Sequence, residues 1–179
     1  MLTTSPIKKK PRLTNDGFSF LNSQERVEIP YGRHPGAFAY KRKHHTHEGI
    51  DLYTEQNTPV FSMGFGKVID IFDFTGESVQ SPWWNQTQAV LIQHGDCYWL
   101  YGELKDINLQ KHQHVYPNTY IGKTAEVLKR NKGRPTAMLH LEKRMFPTCE
   151  VINWINEKPV YLLDPTLDIA LVYGLYLYT

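Results

Sequence analysis

Cysteine is scarce in this sequence. Cys97 and Cys149 are the only two in 179 residues, enough for one bridge and at no zinc-finger spacing, so a disulfide scaffold is excluded and two reduced core thiols are the favoured reading. Long apolar runs are also missing. No stretch reaches the roughly 18–20 residues of a transmembrane helix, and 169–179 is too short and too rich in tyrosine, so no membrane span is expected. Net charge is small, 20 Lys+Arg against 18 Asp+Glu, which argues against nucleic acid as a partner because such binding needs many cations gathered on one face. The basic run Lys8, Lys9, Lys10 and Arg12 is followed by the polar stretch Leu13–Ser19 where a Sec signal would need an apolar segment. Internal repeats and low-complexity segments are absent as well.

What is present suits one globular domain. At this length a chain can bury roughly 68–70% of the surface its unfolded form exposes, so the core needs no metal staple, and a metal found here is more readily functional than structural. The 23 aromatic residues (11 Tyr, 8 Phe, 4 Trp) favour strands. Short apolar runs at Pro59–Met63, Gly66–Phe72, Ala89–Gln93 and Tyr98–Gly102 alternate with turn residues, as in antiparallel β-structure. Strands are expected to resume at Ala137 and to close the chain over Leu171–Tyr178. One short helix is expected over Thr124–Asn131, capped by Thr124 and stopped by Gly133. Residues 1–26 read as a polar, loosely packed arm ahead of a domain over 27–179. Between Asp73 and Gln88 a loop rich in Gly, Ser and Pro carries Trp83 and Trp84, either a rim that touches substrate or a cap on a sheet edge.

Eight histidines are present, and most need no function. His47 and Asp51 differ. In His47-Glu48-Gly49-Ile50-Asp51 the i to i+4 spacing places both side chains on one side of the segment, and Gly49 argues against a helix. A His and a carboxylate so placed can hold zinc, but a third ligand must come from elsewhere. His140 is the leading candidate, because Met138-Leu139-His140-Leu141-Glu142 alternates and sends Met138, His140 and Glu142 to one face. Three protein ligands leave one zinc position open to water, the mark of a hydrolytic rather than a structural site.

Seven ordered pieces now carry a resemblance: His47-Glu48-Gly49-Ile50-Asp51-Leu52, Thr58-Pro59-Val60, Gly64-Phe65-Gly66-Lys67-Val68, Ile92-Gln93-His94-Gly95, Tyr101-Gly102-Glu103-Leu104, Tyr120-Ile121-Gly122-Lys123 and Leu139-His140-Leu141-Glu142. From about Gly32 to Pro165 the sequence resembles the lysostaphin/LytM-type zinc endopeptidases, which cut the peptide part of bacterial peptidoglycan. The resemblance implies a mainly β fold of compact antiparallel sheets with a groove over the metal, one zinc ion, and His47, Asp51 and His140 at the three ligand positions. His44 and His45 then precede the ligand turn and fall at the groove rim, so that His45 joins Trp83 and Trp84 as a candidate substrate contact. His94 falls outside the ligand set and is expected to be structural, and His112 and His114 belong to a surface hairpin.

Two positions depart from the family pattern. The family has His-x-His where this chain reads Met138-Leu139-His140, and Tyr-x-His-Leu where it reads Tyr101-Gly102-Glu103-Leu104. Met138 can transfer no proton and is a poor zinc ligand. Glu103 can act as general base, the role a glutamate plays in zinc peptidases of other folds. The expectation is therefore an endopeptidase acting on stem or cross-bridge peptides, with zinc-activated water as nucleophile and Glu103 as catalytic base. The alternative is a non-catalytic peptidoglycan-binding or regulatory module. A cell-wall substrate without a visible Sec signal points to delivery by phage or by specialised secretion, or else to a piece of a longer precursor.

Overall fold

The computed structural model describes residues 1–14, 26–130, 133, 135–151 and 154–175. Eleven strands run in chain order: β1 Lys10–Thr14, β2 Arg26–Pro30, β3 Ile50–Thr54, β4 Pro59–Phe61, β5 Gly66–Thr75, β6 Thr87–His94, β7 Cys97–Lys105, β8 His114–Val115, β9 Tyr120–Thr124, β10 Ala137–Arg144 and β11 Leu162–Leu163, followed by helix α1, Thr166–Val172. The four apolar runs read from the sequence are β4 to β7, and strand structure resumes at Ala137 as expected. Strands join in the order β1-β2-β3-β10-β7-β6-β5-β8, with β11 on β10 and with β9 pairing both β4 and β7. All the pairings are antiparallel except β1 with β2.

Strand β10 organises the molecule because it lies between β3 and β7. Its register sets Leu139 opposite Leu52, and Leu141 opposite both Ile50 and Tyr101. Directly paired residues share a face, so these side chains enter one apolar core with Val90, Ile92 and Trp99. The same register sets His140 opposite Asp51 on one side and Gly102 on the other, and Met138 opposite Tyr53. The period of two thus splits β10 into an oily face that anchors it and a polar face that carries chemistry.

Three sequence expectations are corrected. The first fourteen residues are not a loosely packed arm: Thr3 N donates to Met63 O at 2.8 Å, Phe61 N donates to Pro6 O at 2.9 Å, and Ile7 is fully buried. Three apolar side chains in a polar stretch, Leu2, Ile7 and Leu13, dock it on the core. No helix forms over the described part of 124–131. Thr124 ends β9, and the following backbone is drawn out by long-range bonds, with Ala125 N donating to Glu103 O and Val127 N to Thr136 O, both at 2.9 Å. The one α-helix among the described residues is α1, where a closing strand had been expected from Leu171. Its apolar Ile169 and Ala170 face inward, and Lys143 of β10 ties it down through Asp168 at 2.8 Å. Part of that expected strand, 176–179, lies outside the described residues, as do 15–25 of the expected arm. Cys97 and Cys149 are free and half-buried, in keeping with two thiols.

Candidate metal centre

His47 lies just before β3, Asp51 on β3 and His140 on β10, and all three are buried. One donor atom of each converges on the other two. His140 Nδ1 is 2.8 Å from Asp51 Oδ1, His47 Nε2 is 3.1 Å from the same oxygen, and the two ring nitrogens are 3.3 Å apart. Gly49 permits this approach: a Cβ there would stand 2.3 Å from Leu141 O and 2.9 Å from the His140 ring. The glycine in the His-Glu-Gly-Ile-Asp segment is therefore a requirement of close packing.

Each of the three candidate ligands is aimed by a partner behind it. His47 Nδ1 donates to Ala37 O at 2.9 Å, and since a carbonyl only accepts, Nε2 keeps its lone pair for the centre. His140 Nε2 donates to Glu142 Oε1 at 3.0 Å, which turns Nδ1 inward. Glu142 is held in turn by Arg144, whose Nε donates to Oε2 at 2.8 Å and whose other donors reach Thr148 O and Glu150 O. Arg144 is fully buried, so the pair must be fully hydrogen-bonded to be tolerated, and it is. The second oxygen of Asp51 accepts from Arg42 Nη2 at 2.5 Å, and Arg42 is pinned by Pro35 O at 3.0 Å.

The electrostatics read as a place prepared for a cation. Burial disfavours charge on His140, but hydrogen bonds and charge from Asp51 and Glu142 outweigh it and push its pKa up to about 10. A protonated His140 donates from Nδ1 to Asp51 Oδ1 and from Nε2 to Glu142 Oε1. Burial brings His47 down to about 4, leaving it neutral as a ligand must be. Burial also opposes the charge of Asp51, yet His47, Arg42 and His140 hold its carboxyl well below the usual range. Two neutral-capable imidazoles and a carboxylate, 2.8–3.3 Å apart, fit zinc, whose bonds of roughly 2.0–2.2 Å at tetrahedral angles need separations of about 3.4 Å.

Glu103 reaches the same place through an irregularity. Gln88 pairs with Leu104 but Val90 pairs with Tyr101, so Gly102 and Glu103 of β7 together face the single Ala89 of β6. Strict alternation would send Glu103 into the core with Trp99 and Tyr101. The bulge returns Leu104 to that core instead and leaves Glu103 on the groove side with a left-handed φ of 62°. A glutamate in that conformation is strained, and its surroundings hold it there. Burial first, and then the charge of Asp51, raises its pKa to about 8. Oε2 is buried with no hydrogen-bond partner among the described residues.

Above the site runs a groove of about 430 Å³. Its lining includes the buried carboxylates Asp51 and Glu103, the segment Arg42, Lys43, His44 and His45, and the packed cluster of Tyr53, Trp84, Leu128 and Met138. Of the substrate contacts expected from sequence, Trp84 and His45 line the groove, whereas Trp83 is 63% exposed and stands outside its lining. Met138 packs with Tyr53, Leu128 and Trp84 and offers no proton. His94 is far from this chemistry: Nδ1 donates to Phe65 O at 2.8 Å and Nε2 accepts from Tyr101 Oη at 3.0 Å. His112 and His114 are exposed. Sequence reasoning missed Arg42 and the supporting role of Glu142. For Glu142 a signal existed, since it shares His140's face two residues on; for Arg42 there was none.

Residues 45–153 match the model of peptidase family M23, a span that contains His47, Asp51, His140, Glu103 and Glu142. The chain belongs to peptidase family M23. Among solved structures this M23 chain is similar to a zinc-containing peptidase from Vibrio cholerae, at 24% identity over 79% of this chain and 36% of that one with a TM-score of 0.50. It is also similar to the catalytic domain of lysostaphin from Staphylococcus simulans, at 15% identity over 75% and 88% with a TM-score of 0.50, and to LytU, at 19% identity over 86% and 89% with a TM-score of 0.53. At these identities the likeness carries the fold. The match spans about a third of the Vibrio protein and half of full-length lysostaphin. No curated protein sequence matches the M23 chain.

Proposed function

We propose that this M23 domain is a zinc-dependent endopeptidase that hydrolyses peptide bonds in peptidoglycan stem or cross-bridge peptides at the bacterial cell wall. His47 Nε2, Asp51 Oδ1 and His140 Nδ1 would hold the ion, with Ala37 O, Glu142 and Arg42 fixing their orientation. Zinc in that position supplies Lewis-acid polarisation of a peptide carbonyl and acidifies water. The observation that carries the reading is Glu103: a buried carboxylate with an unpartnered oxygen, turned by a bulge towards an intact ligand set.

Glu103 Oε2 takes the proton from the attacking water and returns it to the departing amide nitrogen. Its raised pKa keeps the proton exchangeable near neutrality, where a general base and a general acid are both needed. The groove holds the peptide extended against Trp84 and Met138, and Glu103 replaces the histidine that the family pattern places on this strand.

Turbidity loss of cell walls and release of soluble muropeptides, measured with zinc content on wild type and Glu103→Gln, test the proposal. Loss of hydrolysis by about 10²–10⁴-fold with zinc retained is expected. Unchanged hydrolysis in the variant would remove Glu103 as base. One observation favours the other reading, a non-catalytic peptidoglycan-binding module: Met138 sits in an apolar cluster where the family pattern has a second proton-bearing histidine. Binding of wild type to cell walls with no released fragment would establish that reading instead.

A further inference from the structure

Strand β10 leads directly into residues 145–151, of which Met145, Phe146, Pro147, Glu150 and Val151 are exposed. The turn within this segment is small: Thr148 N donates to Phe146 O at 2.9 Å and Glu150 N to Thr148 Oγ1 at 3.3 Å. A stretch with so few buried contacts opens locally unless it is tied down. Cys149 packs against the cluster of Leu91 and Leu100, and Met145 N donates to Tyr161 O at 2.8 Å. The remaining ties run to Arg144, which donates to Thr148 O and, at 3.3 Å, to Glu150 O. Arg144 has no exposed surface, so water cannot replace those two carbonyls when the segment opens, and a buried guanidinium with unpaired donors is costly. Arg144 must then shift, and Glu142, gripped at 2.7 and 2.8 Å, shifts with it. Glu142 is the residue that turns His140. Farther along, Trp154 is tied on both sides of His47: Thr46 N donates to Trp154 O at 2.7 Å, and Trp154 N to Glu48 Oε1 at 2.8 Å.

From these ties we infer that residues 145–151 and the metal centre order one another, with Arg144 as the positioning residue that joins them through Glu142. The inference rests on the zinc reading of the site and adds a means of control to it. Without metal the His140 ring is held by hydrogen bonds alone, which permit departures that coordination to an ion does not. The ion therefore favours the state in which Glu142 and Arg144 are braced, and in that state the segment is closed. Linkage is reciprocal, so a change that loosens the segment weakens zinc binding, and a contact that orders it strengthens zinc binding.

The test uses the full chain with and without one equivalent of zinc and follows amide hydrogen exchange by mass spectrometry. Zinc is expected to slow exchange over 145–151 about tenfold, the lower end of the factors seen when such supports are altered. The turn at 116–119, bonded to itself and to Ser62, should be unchanged. Equal rates over 145–151 in both states, or equal slowing in both segments, would overturn the inference while zinc binding stood. A chain that takes up no zinc would remove the inference and the peptidase reading together. Pro147→Gly alters an exposed residue and raises the freedom of the open segment; it should weaken zinc about two- to fivefold in competition with a chelating dye. Unchanged affinity in that variant would count against the coupling. Arg144→Lys keeps a charge beside Glu142, but an ammonium lacks the planar fork that reaches three partners. Its zinc affinity should fall about 10- to 100-fold, and zinc should no longer protect 145–151. Retained affinity and protection would show that Arg144 is not the link. Should that variant fail to fold, the wild type and Pro147→Gly still decide the matter.

Discussion

Two buried histidines of this chain face opposite fates. His140 and His94 are both nearly enclosed, at 6% and 5% exposure, and both use both ring nitrogens. The partners of His94 are a carbonyl and a tyrosine hydroxyl, neither charged, so burial prevails and its pKa falls to about 4. The partners of His140 are two carboxylates, which outweigh burial and lift it to about 10. Burial alone therefore does not make a histidine functional. An excess of buried negative charge is what separates a candidate metal ligand from a packing residue.

The most severe way to break the comparison is to delete the ligand. His140→Ala removes one of three donor atoms and leaves Asp51 and Glu142 facing one another without the imidazole between them. Zinc content by atomic absorption should fall from one per chain to near zero, and His94→Ala should leave it at one. Loss of zinc in both variants would erase the distinction.

The next effect is on Glu103, whose buried position disfavours its charged form. Its pKa is about 8 in the metal-free folded state against 4.5 when free, so the folded state holds a proton that the unfolded state releases. Its contribution is fully present below pH 4.5 and is lost progressively until pH 8. Glu103→Gln, which keeps a neutral amide there, should make the metal-free protein more stable than wild type by a few kcal/mol at pH 8 and by little at pH 4.5. Denaturant unfolding at the two pH values measures this, and a gain of the same size at both would sink the account.

How far this was visible in the sequence follows the same physics. That His47, Asp51 and His140 converge was legible because candidate ligands must be particular residue types at spacings that strands translate directly into faces, and β4 to β7 were legible because their apolar runs are bounded by turns. The docking of Ile7 was not, since one apolar residue among lysines carries no periodicity. Nor was α1: Leu-Asp-Ile-Ala-Leu-Val reads equally as a strand until Lys143 and the inward packing of Ile169 and Ala170 decide it. Glu103 was legible as a residue but not as a geometry. Simple alternation places it in the core, and only the extra residue in the β6–β7 ladder turns it to the groove. Arg42 was hidden because its value depends on a turn that brings it back to Asp51, nine residues away.

A milder perturbation leaves the ligands in place and loosens their support. Glu142→Gln keeps the size of the side chain but removes the charge that polarises His140 Nε2–H and pairs with Arg144. Zinc affinity should weaken about 10- to 100-fold, the usual consequence of altering such a partner, as read by competition with a chelating dye. An unchanged affinity would mean that the hydrogen bond from Nε2, and not the charge behind it, orients the ring.

The smallest effect tests the other histidine by acid. His94 has a folded pKa of about 4 against 6.5 when free, so between those values the unfolded chain binds a proton that the folded chain refuses. Stability from this residue is complete above pH 6.5, falls as the pH drops towards 4, and changes no further below that. His94→Gln keeps an amide that can donate to Phe65 O and accept from Tyr101 Oη, and it cannot titrate. The variant should be slightly less stable than wild type at pH 7, because the amide fits less well, and should lose less stability on passing from pH 6.5 to 4. Thermal unfolding of the metal-free protein at half-unit pH steps gives both curves. If they run parallel through this interval, His94 is not the group taking up the proton, and the contrast between a histidine sealed by neutral partners and one held by carboxylates would rest on His140 alone.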